Sequence, residues 1–463
     1  MEILEYLEKH KKEIIDDIFT LVRIPSVAVE TDGEKPYGEK CAEALDVISE
    51  IAVREGMSVK NVDYYAVSAT YGKTPEKLGI LTHVDVVPEG EGWQFNPFFI
   101  TELDGKIYGR GVADDKGAAV MSVWAIKAIK ELGIPLSEGV RLIFGSGEEI
   151  GCRDMEYYMS KEKMPPYVFS PDASFPIINT EKGRYCETFS KSYTSDTRLP
   201  CLSYIKAGDT VNVIPQKCFA MTENLNKNYI LEAIEKTKDK LKGIKFELTE
   251  KNNCIKITAE GRSAHASTPN KGKNALTAMM EMLSVLPLSG EPFESIKKLS
   301  ELFPYADHYG EALNARVKDG NSGNSTYSLD ILECSGGNIK GAFDGRISLN
   351  ADYNNTIKPI SKKFNEAGFD ITYNGLTPPH HVNKNSMLVK GLGEAYEFYT
   401  GKKASCHAMG GFTYVHDIEN AVAFGPLMPR HNARIHGPNE HMYIDEIIKA
   451  TAIFARAIIN ICS

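Results

Sequence analysis

At 463 residues the chain is long enough for about two or three domains, and it needs neither disulfides nor a structural metal merely to fold. Apolar residues make up 42% and charged residues 25%, ordinary globular values that exclude disorder or a fibrous repeat. The formal charge of -9, with no basic block, excludes nucleic acid and anionic membranes as expected partners. Residues 1–22 carry charges throughout, so no signal-peptide core is expected, and no apolar stretch is long enough to span a membrane. The nine cysteines are scattered without a CxxC, which predicts free thiols in a reducing cytoplasm and no cysteine-held zinc.

In chain order, Leu4, Leu7, Ile14, Ile18 and Leu21 predict an amphipathic first helix. LGILTHVDVV (78–87) reads as a buried strand of the parallel type. DDKGAAVMSVWAIKAIKELG (114–133) predicts a helix with Asp114 and Asp115 at its start and Gly133 past its end. Strand VRLIFGSG (140–147), helix EEIGCRDMEYYMSKE (148–162) and strand PYVFSPD (166–172) continue an alternation that implies an α/β domain with a mostly parallel sheet. After about residue 180 the texture changes. NCIKITAEG (253–261) and GRISLNADYN (345–354) alternate like antiparallel strands, with helical NALTAMMEMLSVL (274–286) between them. TPPHH (377–381) is a Pro-rich junction, followed by helix 388–401, strand NAVAFGP (420–426) and helix 444–459. The expected organisation is a discontinuous α/β domain, 1–181 and 380–463, with an inserted α+β lid at 182–379.

Ligands of open α/β sheets sit beyond the carboxyl ends of the strands. Those ends carry His83 and Asp85, Glu148 and Glu149, and Asp172; Asp114 and Asp115 open a helix, and HGPNEH adds His436, Glu440 and His441. Imidazoles and carboxylates without thiolate suit zinc, manganese or cobalt. Each piece alone is ordinary: a His beside an Asp is commonly a satisfied polar pair, and carboxylates favour helix starts in any case. The GRG of YGRGVAD does not meet the GxGxxG spacing of a nucleotide loop. The coincidence of all these residues at the ends of one sheet is what points to a metal site.

With these stretches the chain resembles the M20 family of di-metal peptidases and deacylases, most closely its PepV-like dipeptidases. The resemblance is carried by THVDVVPEGEGWQFNPF (82–98), YGRGVADDKGA (108–118), FGSGEEIG (144–151), SPDASFP (170–176), GRSAHASTPNKGKNA (261–275), AFGPLMP (423–429) and HGPNEHMYID (436–445). It implies a phosphorylase/hydrolase-like catalytic fold and two divalent ions, zinc first, manganese or cobalt otherwise. His83 and Asp172 would hold one ion, Glu149 and His436 the other, and Asp114 would bridge them, with a cis peptide to Asp115. Asp85 would orient the His83 imidazole. Glu148 would be the general base, moving a proton from the attacking water to the leaving amine. His265, from the lid, would donate to the oxyanion. Asn212 would touch the substrate, Gly410 and Gly411 would let its backbone approach, and Thr413 either joins them or caps a helix.

The implied activity is hydrolysis of unblocked dipeptides, with an acyl-amino-acid deacylase or carboxypeptidase on the same scaffold as the alternative. A catalytically dead binding protein is disfavoured, because the ligands and the base are all present. The family's lid carries an Arg in a pattern like DIRYP that grips the substrate carboxylate. Aligning ISLNADYNNT with it puts Asp352 at the Arg position, so Arg346, or preferably Arg434, is the compensating cation. The segment 190–209 is irregular for a lid strand. An insert of about 200 residues, against half that in simpler relatives that dimerise through the lid, makes a monomer the expected state.

Overall fold

The computed structural model describes residues 2–194 and 199–463. They form two compact units. One comprises the chain up to Thr180 with His381–His407 and Phe412–Ser463; the other comprises Glu181–His380 with Ala408–Gly411. The short segment 408–411, which the sequence division places with the catalytic domain, clusters with the second unit.

The first unit is built on a sheet whose central strands, Gly139–Gly145, Glu76–His83, Tyr167–Ser170 and Ala421–Ala423, run parallel. Ser58–Val62 and Ala66–Tyr71 on one side, and Ile177–Glu181 on the other, are antiparallel neighbours. Leu78, Ile80, Leu142, Phe144, Val168 and Phe169 are fully buried, as expected of strands covered on both faces. Each such side chain contributes about 1.5–3 kcal/mol on burial. The helix Lys116–Glu131 is buried nearly all round and packs against the last helix, Ile444–Cys462. Its Trp124 donates to Asp17 Oδ2 at 2.8 Å, and Asp17 also receives a bidentate Arg54 at 3.0 and 2.6 Å. Two N-terminal helices, Lys11–Val22 and Glu39–Arg54, are thereby tied to it.

Two sequence expectations are corrected in this unit. The first helix breaks at His10 into Ile3–Lys9 and Lys11–Val22. The helix expected from Glu148 begins only at Arg153; Glu148–Ile150 form a single 3-10 turn, and Gly151 and Cys152 are left-handed. The physical reason is the left-handed backbone at Gly151 (φ 113°) and Cys152 (φ 61°), which no α-helix can pass through.

The second unit holds an eight-stranded antiparallel sheet in the order Lys245–Lys251, Cys254–Glu260, Lys217–Glu223, Cys201–Ala207, Thr326–Ser335, Asn338–Ile347, Gly183–Ser192, Asp370–Thr372. Helices Ala275–Leu283, Glu291–Leu302 and Lys358–Ala367 contribute Met279, Phe293 and Phe364 to its core. Residues 195–198 of the irregular segment lie outside the described residues; the Cys201–Ala207 strand beyond them is bulged between Leu202 and Tyr204. The strand expected over 345–354 stops at Ile347. Asp352 is not in it: its carboxylate caps the following helical turn by accepting the amides of Asn354 and Asn355 at 2.8 and 2.9 Å. The strand carries Asp344-Gly345-Arg346, so of the residues weighed for the lid-strand position Arg346 lies in the strand and Asp352 does not. Among the described residues no helix is long and apolar enough to cross a membrane.

Candidate metal centre

The candidates of the first unit sit where strands hand over to loops. His83 ends its strand, Glu148 and Glu149 follow Gly139–Gly145, and Asp172 lies just past Tyr167–Ser170. Asp114 immediately precedes the turn into the helix Lys116–Glu131, joined to Asp115 by a cis peptide. His436 comes from the loop before the last helix, with a left-handed backbone (φ 61°) rare for a non-glycine residue.

These side chains converge. His83, Asp114 and Asp172 form one group, and Asp114, Glu149 and His436 another, each with donor atoms within 4.8 Å of one another. Asp114 turns Oδ1 to His83 Nε2 at 3.0 Å and Oδ2 to His436 Nε2 at 3.0 Å. His436 Nε2 is 3.2 Å from Glu149 Oε2, and His83 Nε2 is 4.0 Å from Asp172 Oδ2. Glu148 groups with His83 and Glu149 on the same footing.

Behind this ring, other acids hold the loops. His83 Nδ1 faces the Asp85 main-chain oxygen at 3.0 Å and its Oδ1 at 3.3 Å, which turns Nε2 forward. The Asp85 carboxylate also accepts the amides of Glu148 and Glu149 at 3.2 and 3.0 Å. Asp115 points away from the ring and accepts the His83 amide at 3.4 Å. Asp154 accepts the amides of Ser146 and Gly147 at 2.8 and 2.9 Å and the Tyr414 hydroxyl. Glu440 accepts the amides of Gly111, Ala113 and Asp114 and pairs with Arg110. Asp154, Tyr414 and Arg110 were not singled out in the sequence. Glu440 and His441 were grouped with His436, but neither joins the ring. His441 instead contacts the Asn439 carbonyl oxygen and Lys106. Thr413 caps a short 3-10 turn through the Val415 amide at 3.4 Å.

Burial lowers the His83 pKa, but hydrogen bonds to Asp114 and Asp85 outweigh it and hold the imidazole well above its ordinary value. Hydrogen bonds to Asp114 and Glu149 raise His436 to about 10. Burial raises Asp114, and its bonds to His436 and His83 more than reverse this, leaving it well below the usual carboxylate range. Burial pushes Asp172 up, reinforced by Asp114; burial also pushes Glu148 up, opposed by His83 and reinforced by Asp172. Four carboxylates and two imidazoles gathered in this way favour a bound cation. Glu149 Oε1 is buried with no hydrogen-bonding partner among the described residues. Two imidazoles, no thiolate and one carboxylate facing both groups make a donor set that fits two divalent ions.

Asn212, His265, Gly410 and Gly411 lie in the second unit. Residues 213 and 265 are bridged, and the Ala266 amide donates to the Asn212 carbonyl, so Asn212 and His265 are neighbours. The Ser267 amide donates to His265 Nδ1 at 3.1 Å, so the neutral ring carries its proton on Nε2. Arg346 makes a bidentate pair with Asp344 (2.7 and 2.9 Å) and donates to the Gly410 carbonyl at 2.7 Å. A Cβ at Gly410 would lie 2.6 Å from Ser267 Cβ, so close packing there accounts for this glycine. Arg434, in the first unit, is exposed and left-handed two residues before His436.

Residues 79–460 match Peptidase family M20/M25/M40. The chain is 34% identical over 459 residues to YtjP of Bacillus subtilis (strain 168), provisionally named a dipeptidase, with 97% of each chain covered. It is 32% identical over 460 residues to the Beta-Ala-Xaa dipeptidase of Lactobacillus delbrueckii subsp. lactis, covering 98% of this chain and 97% of that one. The fold is shared with human carnosine dipeptidase 1, at a TM-score of 0.61 and 15% identity over 99% of this chain and 98% of that one. The match over residues 79–460 and the full-length relatives together place the chain in peptidase family M20/M25/M40.

Proposed function

We propose that the protein is a metallo-dipeptidase that hydrolyses the peptide bond of unblocked dipeptides with two divalent ions, zinc first and manganese or cobalt otherwise. The observation that carries this reading is the pair of ligand groups sharing Asp114, with Glu148 alongside. The names of the two full-length relatives support the substrate class.

His83 and Asp172 would hold one ion, Glu149 and His436 the other, and Asp114 both. When bound, such ions lower the pKa of water between them and stabilise charge on a carbonyl oxygen. The remaining steps belong to the chain. Glu148 accepts the water's proton as its oxygen adds to the peptide carbonyl carbon, and delivers that proton to the amine as the C–N bond breaks. Asp85 keeps His83 Nε2 forward and holds the amide of Glu148. His265, its proton on Nε2, donates to the oxyanion. Arg346, although paired with Asp344, and Arg434 are the two candidate cations for the substrate's carboxylate, with Asn212, Gly410 and Gly411 beside the substrate backbone.

The alternative, an N-acyl-amino-acid deacylase or carboxypeptidase, rests on an acid at the lid-arginine position. Asp352 caps a helical turn and Arg346 stands in the strand, which favours the dipeptide reading over this alternative; Arg434 stays the second candidate cation. Dipeptides and N-acyl amino acids should be assayed side by side with zinc, manganese and cobalt. Hydrolysis of dipeptides, abolished by EDTA and restored by metal, is expected; activity confined to N-acyl substrates, or surviving EDTA, overturns the proposal. Glu148→Gln should keep its metal and lose about 100- to 10,000-fold in turnover.

A further inference from the structure

Glu440 is the acid of HGPNEH that faces no ligand group, yet it is fully buried. Its Oε1 accepts the amides of Gly111, Ala113 and Asp114 at 3.0, 2.9 and 3.3 Å. Its Oε2 receives Arg110 Nη1 at 2.6 Å, and its main-chain oxygen receives the Gly109 amide at 3.1 Å. Arg110 is itself buried. Its Nη2 donates to the carbonyls of Pro88 and Glu89 at 3.3 and 3.2 Å, and its guanidinium lies 5.3 Å from the Trp93 ring. One carboxylate thus gathers the loop 109–114 at several points and fixes the amide of Asp114 itself.

The same residue anchors His436. The segment 433–441 closes on itself, with the His441 amide donating to the Ala433 carbonyl at 3.0 Å and the Gly437 amide to Arg434 at 2.9 Å. His436 stands at the tip of this loop and Glu440 at its base, where Asn439 Oδ1 also accepts the Gln94 amide at 2.8 Å. We infer that Glu440 is a positioning residue that ties the Asp114 loop to the His436 loop, so that the ligands of the second ion share one frame. This rests on the two-ion reading of the site. Asp172 and His83 hang from other strands and are not gathered by Glu440.

The consequence is a split between the two ions. Glu440→Asp draws the carboxylate back by about one bond length, 1.5 Å, while keeping charge and burial; Glu440→Gln keeps the reach and loses the charge. Calorimetric zinc titration of the metal-free full chain, and the visible absorption of the cobalt-loaded protein, resolve the two equivalents. His436→Ala marks the one that belongs to its loop. In Glu440→Asp that equivalent should bind about 10- to 100-fold more weakly and show an altered cobalt band, with the other weakened several-fold less, since it shares Asp114 but takes His83 and Asp172 from other strands. Glu440→Gln should fall between this variant and the wild type.

Equal weakening of both ions, or no weakening, overturns the inference. So does loss of the metal-free fold in both variants by circular dichroism, since Glu440 then supports the core and not the ligands. Two ions and the split without dipeptide hydrolysis would overturn only the proposed function. Dipeptide hydrolysis and two ions without the split would overturn only this inference.

Discussion

Asp330 is a fully buried acid of the second unit, accepting the Ser328 hydroxyl and the Asn212 amide. Burial pushes its pKa up to about 8, against an ordinary value of about 3.9. Between about pH 4 and 8 the folded chain keeps a proton there that the unfolded chain has released, so folding stability falls as pH rises through that window. Asp330→Asn has no such slope. The Tm deficit of this variant, measured on metal-free protein, should shrink steadily from pH 4 to pH 8; a constant deficit would mean that Asp330 ionises normally. The loop that Asp330 holds runs beside His265, whose replacement by alanine should lower kcat more than it raises KM if, as proposed, its Nε2–H serves the transition state. A change in KM alone would remove it from the oxyanion. The ring residues were legible because histidine and acids stood in recognisable stretches. Asp154 and Tyr414 were not: they meet across 260 residues of chain, and Asp154 acts on backbone amides, which leave no trace in a motif. The strand expected over 345–354 ran too long because alternation in ISLNADYN continues past the point where the capping acid turns the chain into a helix.

Loops, more than strands, carry the specificity of this site. The turn 111–117 folds back on the first turn of the helix Lys116–Glu131, with the Gly117 amide donating to the Gly111 carbonyl at 3.1 Å. A Cβ at Gly117 would lie 2.1 Å from the Val112 carbonyl oxygen, so no larger residue fits without moving the loop that bears Asp114. Gly117→Ala should therefore retain less metal than wild type after dialysis against metal-free buffer, as read by atomic emission. Undiminished metal would show that the loop yields without carrying Asp114 along. Most helices and central strands were legible from apolar periodicity, since burial sets both. The helix start at 148 was not, because the break comes from left-handed backbone at Gly151 and Cys152, and a non-glycine residue in that conformation leaves no mark in the apolar pattern.

At the scale of the molecule, the two units have separate large cores, and every candidate metal ligand belongs to the first. Unfolding is then not a single two-state event. Scanning calorimetry should show two transitions, of which EDTA lowers one. Zinc at about 100 times its Kd should stabilise that one by about 2.7 kcal/mol. Equal displacement of both transitions by EDTA would contradict the assignment of the ligands to one unit. The change of texture near residue 180 was legible because strand–helix alternation gives way to two-residue alternation. The return of segment 408–411 to the second unit was not, being a matter of contacts that no local pattern encodes.

The order in which the first unit is threaded has a bearing on how the protein is made. The strand Ala421–Ala423 lies between Tyr167–Ser170 and Ile177–Glu181, and the helix Ile444–Cys462 covers Lys116–Glu131. During translation the early strands and that apolar helix emerge long before their late partners, and wait with their faces uncovered. His436, a proposed ligand, follows Asp172 only after the whole inserted unit has been made. A chain cut short before residue 436 would lack one proposed ligand of the second ion. Vectorial synthesis itself would thus hold back the proposed cleavage until the strand Ala421–Ala423 and the His436 loop have followed the inserted unit.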